Sequence, residues 1–117
     1  MTTRQDVIDF CLEWQDAYPD APFHDDNWTV LRHKSNKKSF AFVYEQEGQM
    51  RVNVKCAPAD ASFWRDAYPG AVLPGYHMNK THWNTIVLAQ VPEDDVKNMI
   101  AESYRLTSPA VKEGRGC

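Results

Sequence analysis

Ser39-Phe40-Ala41-Phe42-Val43-Tyr44 and Met50-Arg51-Val52-Asn53-Val54-Lys55 stand on either side of Glu47-Gly48. Aromatic residues recur at every second position of the first stretch. In the second, Met50, Val52 and Val54 alternate with Arg51, Asn53 and Lys55. A period of two is that of an extended chain with one side buried. The pattern predicts two antiparallel strands around a tight turn, with Met50, Val52 and Val54 inward and Arg51, Asn53 and Lys55 outward. Upstream, Trp28-Thr29-Val30-Leu31-Arg32-His33 is rich in strand formers, and the polar turn Ser35-Asn36-Lys37-Lys38 joins it to the pair. Short turns between successive strands make an antiparallel meander the simplest arrangement.

Helical periodicity flanks the meander. Val7, Cys11, Trp14 and Tyr18 fall four, three and four residues apart behind Thr3 and Asp6, which resemble an N-cap and a first-turn acid. The spacing predicts an amphipathic helix over residues 4–18, stopped by Pro19, and a loop over 19–27. A second helix is predicted over 59–68, ended by Pro69-Gly70. An extended piece at 71–73 and a strand at 83–88 follow. Pro92-Glu93-Asp94-Asp95 then opens a last helix with Val96, Met99, Ile100, Ser103, Tyr104 and Leu106 on its buried side. The order α-β-β-β-α-β-β-α predicts an α+β fold, a central antiparallel sheet with helices packed on one face. Residues 1–107 are expected to form a single domain and 108–117 a polar, flexible tail. Trp14-Gln15-Asp16-Ala17-Tyr18-Pro19 is echoed by Trp64-Arg65-Asp66-Ala67-Tyr68-Pro69, which is read as two helices ending alike.

The 117 residues, 43% apolar and with 14 aromatics, suffice for one hydrophobic core without a metal or disulfides. Cys11, Cys56 and Cys117 are odd in number and widely spaced, so they form neither a disulfide framework nor a CxxC motif. No apolar run approaches bilayer length, and the first residues lack the layout of a signal peptide. A reducing cytoplasmic location and no membrane partner are therefore expected. The net charge of −3 hides an asymmetry: residues 1–26 carry −6, 27–55 carry +4 and 56–117 carry −1. Consecutive acidic and basic stretches suggest a two-sided surface.

No catalytic constellation stands out. Cys56 follows a strand, but nothing local marks it as an activated thiolate. His77 and His82 lie five apart, and a metal needs three or four convergent ligands; no metal and no cofactor are expected. The densest polar segment is Gly75-Tyr76-His77-Met78-Asn79-Lys80-Thr81-His82-Trp83-Asn84-Thr85. Tyr76, His77, Asn79, Lys80 and His82 could form a recognition loop for an anion or a base edge, or the polar groups could cap a turn while Tyr76 and Trp83 enter the core. Arg32, Lys34, Lys37 and Lys38 surround the first turn, and Arg51 and Lys55 share one face of the following strand. These six are candidate phosphate contacts; otherwise they solvate a sheet edge.

Val54-Lys55-Cys56-Ala57-Pro58, Trp64 to Gly70, the 75–85 segment, Pro92 and Glu102-Ser103-Tyr104 together resemble the MmcQ/YjbR family of small bacterial proteins. The similarity covers nearly the whole chain, and its most specific part is the Tyr-His-Met-Asn-Lys loop with its following His-Trp-Asn-Thr. The resemblance implies a frataxin-like (CyaY-like) fold and a DNA-binding role in which β-hairpins act as a double wing. The expected function is thus non-enzymatic binding, with DNA as the partner. A protein partner or a small anionic ligand is the alternative. A monomer is expected.

Overall fold

The computed structural model describes residues 1–109. Most of the expected polar tail, with Cys117, lies outside the described residues. The element order is α1 (Arg4–Cys11), β1 (Ala17–Asp20), β2 (Thr29–His33), β3 (Ser39–Gln46), β4 (Gln49–Lys55), α2 (Pro58–Ala67), β5 (Val72–Pro74), β6 (Trp83–Val87), a 3-10 turn (Leu88–Gln90) and α3 (Glu93–Thr107). The six strands form one antiparallel sheet in the order β1-β2-β3-β4-β6-β5. The predicted α+β class, the meander and the three helices are all present.

The meander forms for local reasons. Glu47 and Gly48 have φ of 55° and 76°, and they connect Gln46 to its partner Gln49. Two successive left-handed residues match the right-handed twist of the flanking strands. Thr3 and Asp6 form a reciprocal capping box on α1.

Ala41, Val43, Val52, Val54 and Ile86 share one face of the sheet through their cross-strand pairing. Val7 and Cys11 of α1, Ala61 of α2 and Val96, Met99 and Ile100 of α3 pack on that face as one cluster. The helices therefore cover one side only.

A β-bulge decides how the aromatics of β3 are divided. Leu31 pairs with Ala41 and Arg32 with Ser39, so Phe40 is an extra residue in β3. Phe40 joins the helix-side core against Trp14 and Tyr104, while Phe42 and Tyr44 face the other side. The carbonyl of Phe40 accepts from Ser103 Oγ at 2.6 Å, and Ser103 Oγ in turn accepts from Lys55 N at 2.8 Å. Ser103 on α3 thus satisfies backbone groups of two strands.

The first helix is shorter than expected. It ends at Cys11, and residues 17–20, predicted as helix end and loop, form strand β1. Leaving 17–20 as helix end and loop would expose the ladder groups of β2; pairing Ala17 with His33 and Asp20 with Val30 satisfies them. Trp14 still reaches the core, stacked on Tyr104 with centroids 4.2 Å apart. The apolar spacing suits a helix and a turn followed by a strand alike. The hexapeptide echo is corrected with it: Trp64–Ala67 are helical, whereas the matching Trp14–Ala17 leave α1 and enter β1.

Candidate functional site

The helix-free face of the sheet carries Val30, Phe42, Tyr44, Asn53 and Thr85 in register. Two loops fold over it and leave a cleft of ≈ 500 Å³. Its floor is the end of β3, from Phe42 and Tyr44 to Glu45 and Gln46. One wall is Phe23, Asp25, Asn27 and Trp28; the other is Tyr76, His77 and Met78.

The first wall is held by Asn27, which pairs with β3 like a strand residue. Its Oδ1 accepts from Glu45 N at 2.8 Å and its Nδ2 donates to Glu45 O at 2.8 Å. Arg4 reaches through from α1, donating to Val43 O at 3.0 Å and Asn27 Oδ1 at 3.3 Å.

The second wall bends back because Gly75 lies close to Trp83. A Cβ on Gly75 would sit 2.7 Å from that of Trp83, so no other residue allows this approach undistorted. Tyr76 then binds the floor through its backbone: its N–H donates to Thr85 Oγ1 at 2.9 Å, and its carbonyl accepts from Asn53 Nδ2 at 2.9 Å. Asn53 Oδ1 accepts from Tyr44 Oη at 2.9 Å and Thr85 Oγ1 at 2.6 Å. Burial pushes the Tyr44 phenol above its ordinary value, which keeps it a donor. Asn53 and Thr85 are buried, so the floor is a closed polar network beneath aromatic rings.

Those rings are nearly parallel. Trp28 lies on Tyr44 at 4.2 Å and 16°, Tyr76 is 23° from Tyr44, and Trp28 and Tyr76 are 7° apart. Phe23 meets Trp28 edge-on at 6.2 Å. Phe23 and Tyr76 are among the exposed large hydrophobics. Asp25 supplies a carboxylate at the rim, whereas Glu45 contributes its backbone, its side chain sharing the face of Val43, and Arg51 lies opposite Tyr44 on the cleft side of β4.

The structure divides the loop residues singled out in the sequence. Tyr76 and His77 line the cleft, His77 with φ of 62° and its ring 3.9 Å from that of Tyr76. Asn79 Oδ1 accepts from Thr81 N at 2.9 Å and His82 N at 3.3 Å, shaping a turn. Lys80 Nζ points back to the carbonyl of Gly75 at 3.0 Å. Arg65 of α2 fastens this part, donating to Asn84 Oδ1 at 2.7 Å and to the carbonyls of Lys80 and Trp83. His82 is exposed.

The basic residues are distributed differently. Arg32 donates to Asp20 at 2.7 Å. Arg51, with 11% of its side chain exposed, donates to Gln46 and Gln49 and lies 3.5 Å from Glu47. Lys34, Lys37 and Lys38 are exposed, and Lys37 Nζ sits 5.5 Å from the ring centroid of Tyr18. Lys55 is half-buried at the end of β4. The turn bearing the three lysines is tied down: Asp16 accepts from Ser35 N and Oγ at 3.1 and 2.6 Å, and Asn36 donates to Thr107 O at 2.9 Å. In the sheet, β4 separates this hairpin from the strands that carry the 75–82 loop.

His33, beneath the same turn, is fully buried. Its Nε2 lies 2.9 Å from Thr107 Oγ1; its Nδ1 is 3.3 Å from Asp16 Oδ2 but off the line that a hydrogen bond needs. Burial pushes both the Cys11 and the Cys56 thiol up to about 12, which keeps them from acting as thiolate nucleophiles. Among the described residues, no group of three His, Cys, Asp or Glu side chains could hold a metal ion.

Phe23, Trp28, Phe42, Asn53, Thr85 and Arg65 are the participants that sequence patterning passed over. Trp28 and Phe42 read as ordinary strand formers. Asn53 sat on the side marked outward, and only its position opposite Thr85 and beneath Tyr76 reveals its role.

Comparison with known proteins agrees over nearly the whole chain. The YjbR family model matches residues 12–106. The Bacillus subtilis (strain 168) protein YyaQ is 34% identical over 92% of this chain and 99% of its own length. Escherichia coli (strain K12) YjbR is 28% identical over 88% and 85%. Among solved structures, one from Pseudomonas syringae superposes with a TM-score of 0.80 at 26% identity, covering 91% of this chain and 99% of its own. One from Deinococcus radiodurans superposes with a TM-score of 0.82 at 28% identity, covering 100% and 83%. Shared sequence and shared fold lead to one conclusion: the chain belongs to the YjbR family.

Proposed function

We propose that this protein is a non-enzymatic small-molecule-binding module whose site is the cleft between Trp28 and Tyr76. The observation that carries it is the cleft itself. Its volume falls within the ~300–1,000 Å³ common for ligand sites, and it is aromatic-lined over a pre-formed polar floor. The buried free thiols Cys11 and Cys56 suit a reducing cytosol, and among the described residues no helix is long and apolar enough to cross a membrane.

The test uses indole as a neutral probe, with amide and indole N–H shifts mapped by NMR. Shifts concentrated at Trp28, Tyr44, Tyr76 and His77, and lost in Tyr76→Ala, support the proposal. Shifts absent or scattered over the surface sink it.

A second function, DNA binding, is favoured by one observation: the exposed Lys34, Lys37 and Lys38 around the β2–β3 turn. Each phosphate neutralised should add about −0.9 to the log–log salt slope of duplex binding. Equal affinity of the wild type and a Lys37→Ala, Lys38→Ala variant at ~50 mM salt would remove these lysines as phosphate contacts.

A further inference from the structure

The rings and the rim of the cleft narrow the class of ligand it can take. We propose that the cleft takes an uncharged, flat aromatic heterocycle that stacks along Trp28 and Tyr76 and offers an N–H to Asp25. The inference rests on the cleft being a ligand site.

Ring orientation carries the flat shape. Trp28 and Tyr76 are 7° apart with centroids 6.4 Å from each other, and their planes lie 16° and 23° from that of Tyr44. Three rings on three separate segments thus share one orientation, and Phe23 and Tyr76 remain exposed. Offset stacking places ring centroids about 4.5–7 Å apart. A flat ligand laid on Tyr76 in that orientation therefore meets a π-face across its whole area, whereas a puckered saturated ring of equal size touches the same surface at fewer atoms. Phe23, edge-on to Trp28 at 83°, bounds the cleft.

Charge favours a neutral occupant. Asp25 places a carboxylate at the rim, while the Glu45 side chain shares the face of Val43. Arg51 lies opposite Tyr44 on the cleft side, with Gln46, Gln49 and Glu47 as its neighbours. Neither sign prevails, and an ion leaving water needs a dedicated counter-charge to offset its desolvation.

Asp25 supplies the polar edge. Its Oδ1 accepts from Asn27 N at 2.9 Å and shapes the first wall; among the described residues Oδ2 has no partner. A carboxylate oxygen only accepts, so it selects a ring N–H over a ring oxygen.

Indole, benzofuran and octahydrobenzofuran are neutral, similar in outline and differ by one property at each step. Each is titrated into the full chain and followed by NMR at the Trp28 indole and the Tyr76 amide. Benzofuran should bind about tenfold more tightly than octahydrobenzofuran, and indole about fivefold more tightly than benzofuran. Asp25→Asn keeps an oxygen for Asn27 N and replaces the free oxygen by a donor. It should abolish the preference for indole over benzofuran and leave the preference for flat over puckered intact. Equal affinities of benzofuran and octahydrobenzofuran would overturn the flat class. A preference for indole that is absent, or that survives Asp25→Asn, would overturn N–H recognition by Asp25. In either case shifts at Trp28 and Tyr76 keep the cleft as a ligand site. If none of the three probes shifts Trp28 or Tyr76, both proposals fail.

Discussion

Asn53→Ala cuts the floor of the cleft at its hub. Asn53 makes three hydrogen bonds, accepting from Tyr44 Oη and Thr85 Oγ1 and donating to Tyr76 O. At roughly 1 kcal/mol net for each bond, their loss costs ~3 kcal/mol. Part is recovered, because the Tyr44 and Thr85 hydroxyls already lie 3.3 Å apart and can satisfy each other. The Tyr76 carbonyl sits in a half-exposed loop and can turn to water. The expected loss is therefore about 2–3 kcal/mol, or a Tm lower by roughly 10 °C for a chain of this size. Urea unfolding followed by tryptophan fluorescence measures the stability. Hydrogen exchange at the Tyr76 amide should quicken more than exchange in α3, because the second wall loses its anchor before the core does. A loss below about 1 kcal/mol, with Tyr76 exchange unchanged, would refute the floor network as the support of the cleft.

Three other perturbations test other parts of the fold. Ser103→Ala strands the Phe40 carbonyl and the Lys55 N–H at the β3 bulge and should cost about 2–4 kcal/mol in the same urea assay, where an unchanged midpoint would show that the bulge does not depend on α3. The Asp16 carboxyl is held below its ordinary 3.8, chiefly by the Ser35 hydroxyl and also by His33. A carboxylate lowered on folding stabilises the fold above its unfolded value, and that contribution is lost as pH falls through the folded one. Ser35→Ala should therefore raise the Asp16 midpoint in a carboxyl-carbon NMR titration, and no movement would discount the hydrogen bond. In a Cys117→Ser background, Cys11 and Cys56 should resist a disulfide reagent at pH 8 until denaturant is added; rapid native labelling would show that their burial is breached.

Much of the fold is legible in residue order. The alternation around Glu47-Gly48, the polar Ser35–Lys38 turn and the α3 stripe all depend on contacts within a strand, a turn or a helix face, and such contacts leave a period in the sequence. The specificity of the 75–85 segment carries the family. Strand β1 left no such period, because Ala17–Asp20 is extended only to complete the ladder of β2, whose partner residues lie ten or more positions away. Phe40 likewise read as one more alternating aromatic; the bulge that moves it to the helix side is set by pairing with β2 and by Ser103.

The sequence by itself determined the α+β class, the helix-and-meander order, the family and the presence of a specialised loop after Gly75. Tertiary structure alone decided what lies beneath that loop. Alternation separates the two faces of a strand but cannot tell solvent from a second covered surface. Asn53 was therefore read as outward, and it became the buried hub of a cleft once Gly75 let Tyr76 fold back over the sheet. Charge follows the same logic: the sequence placed Arg32 and Arg51 in a basic stretch, whereas the fold engages them with Asp20, Gln46 and Gln49.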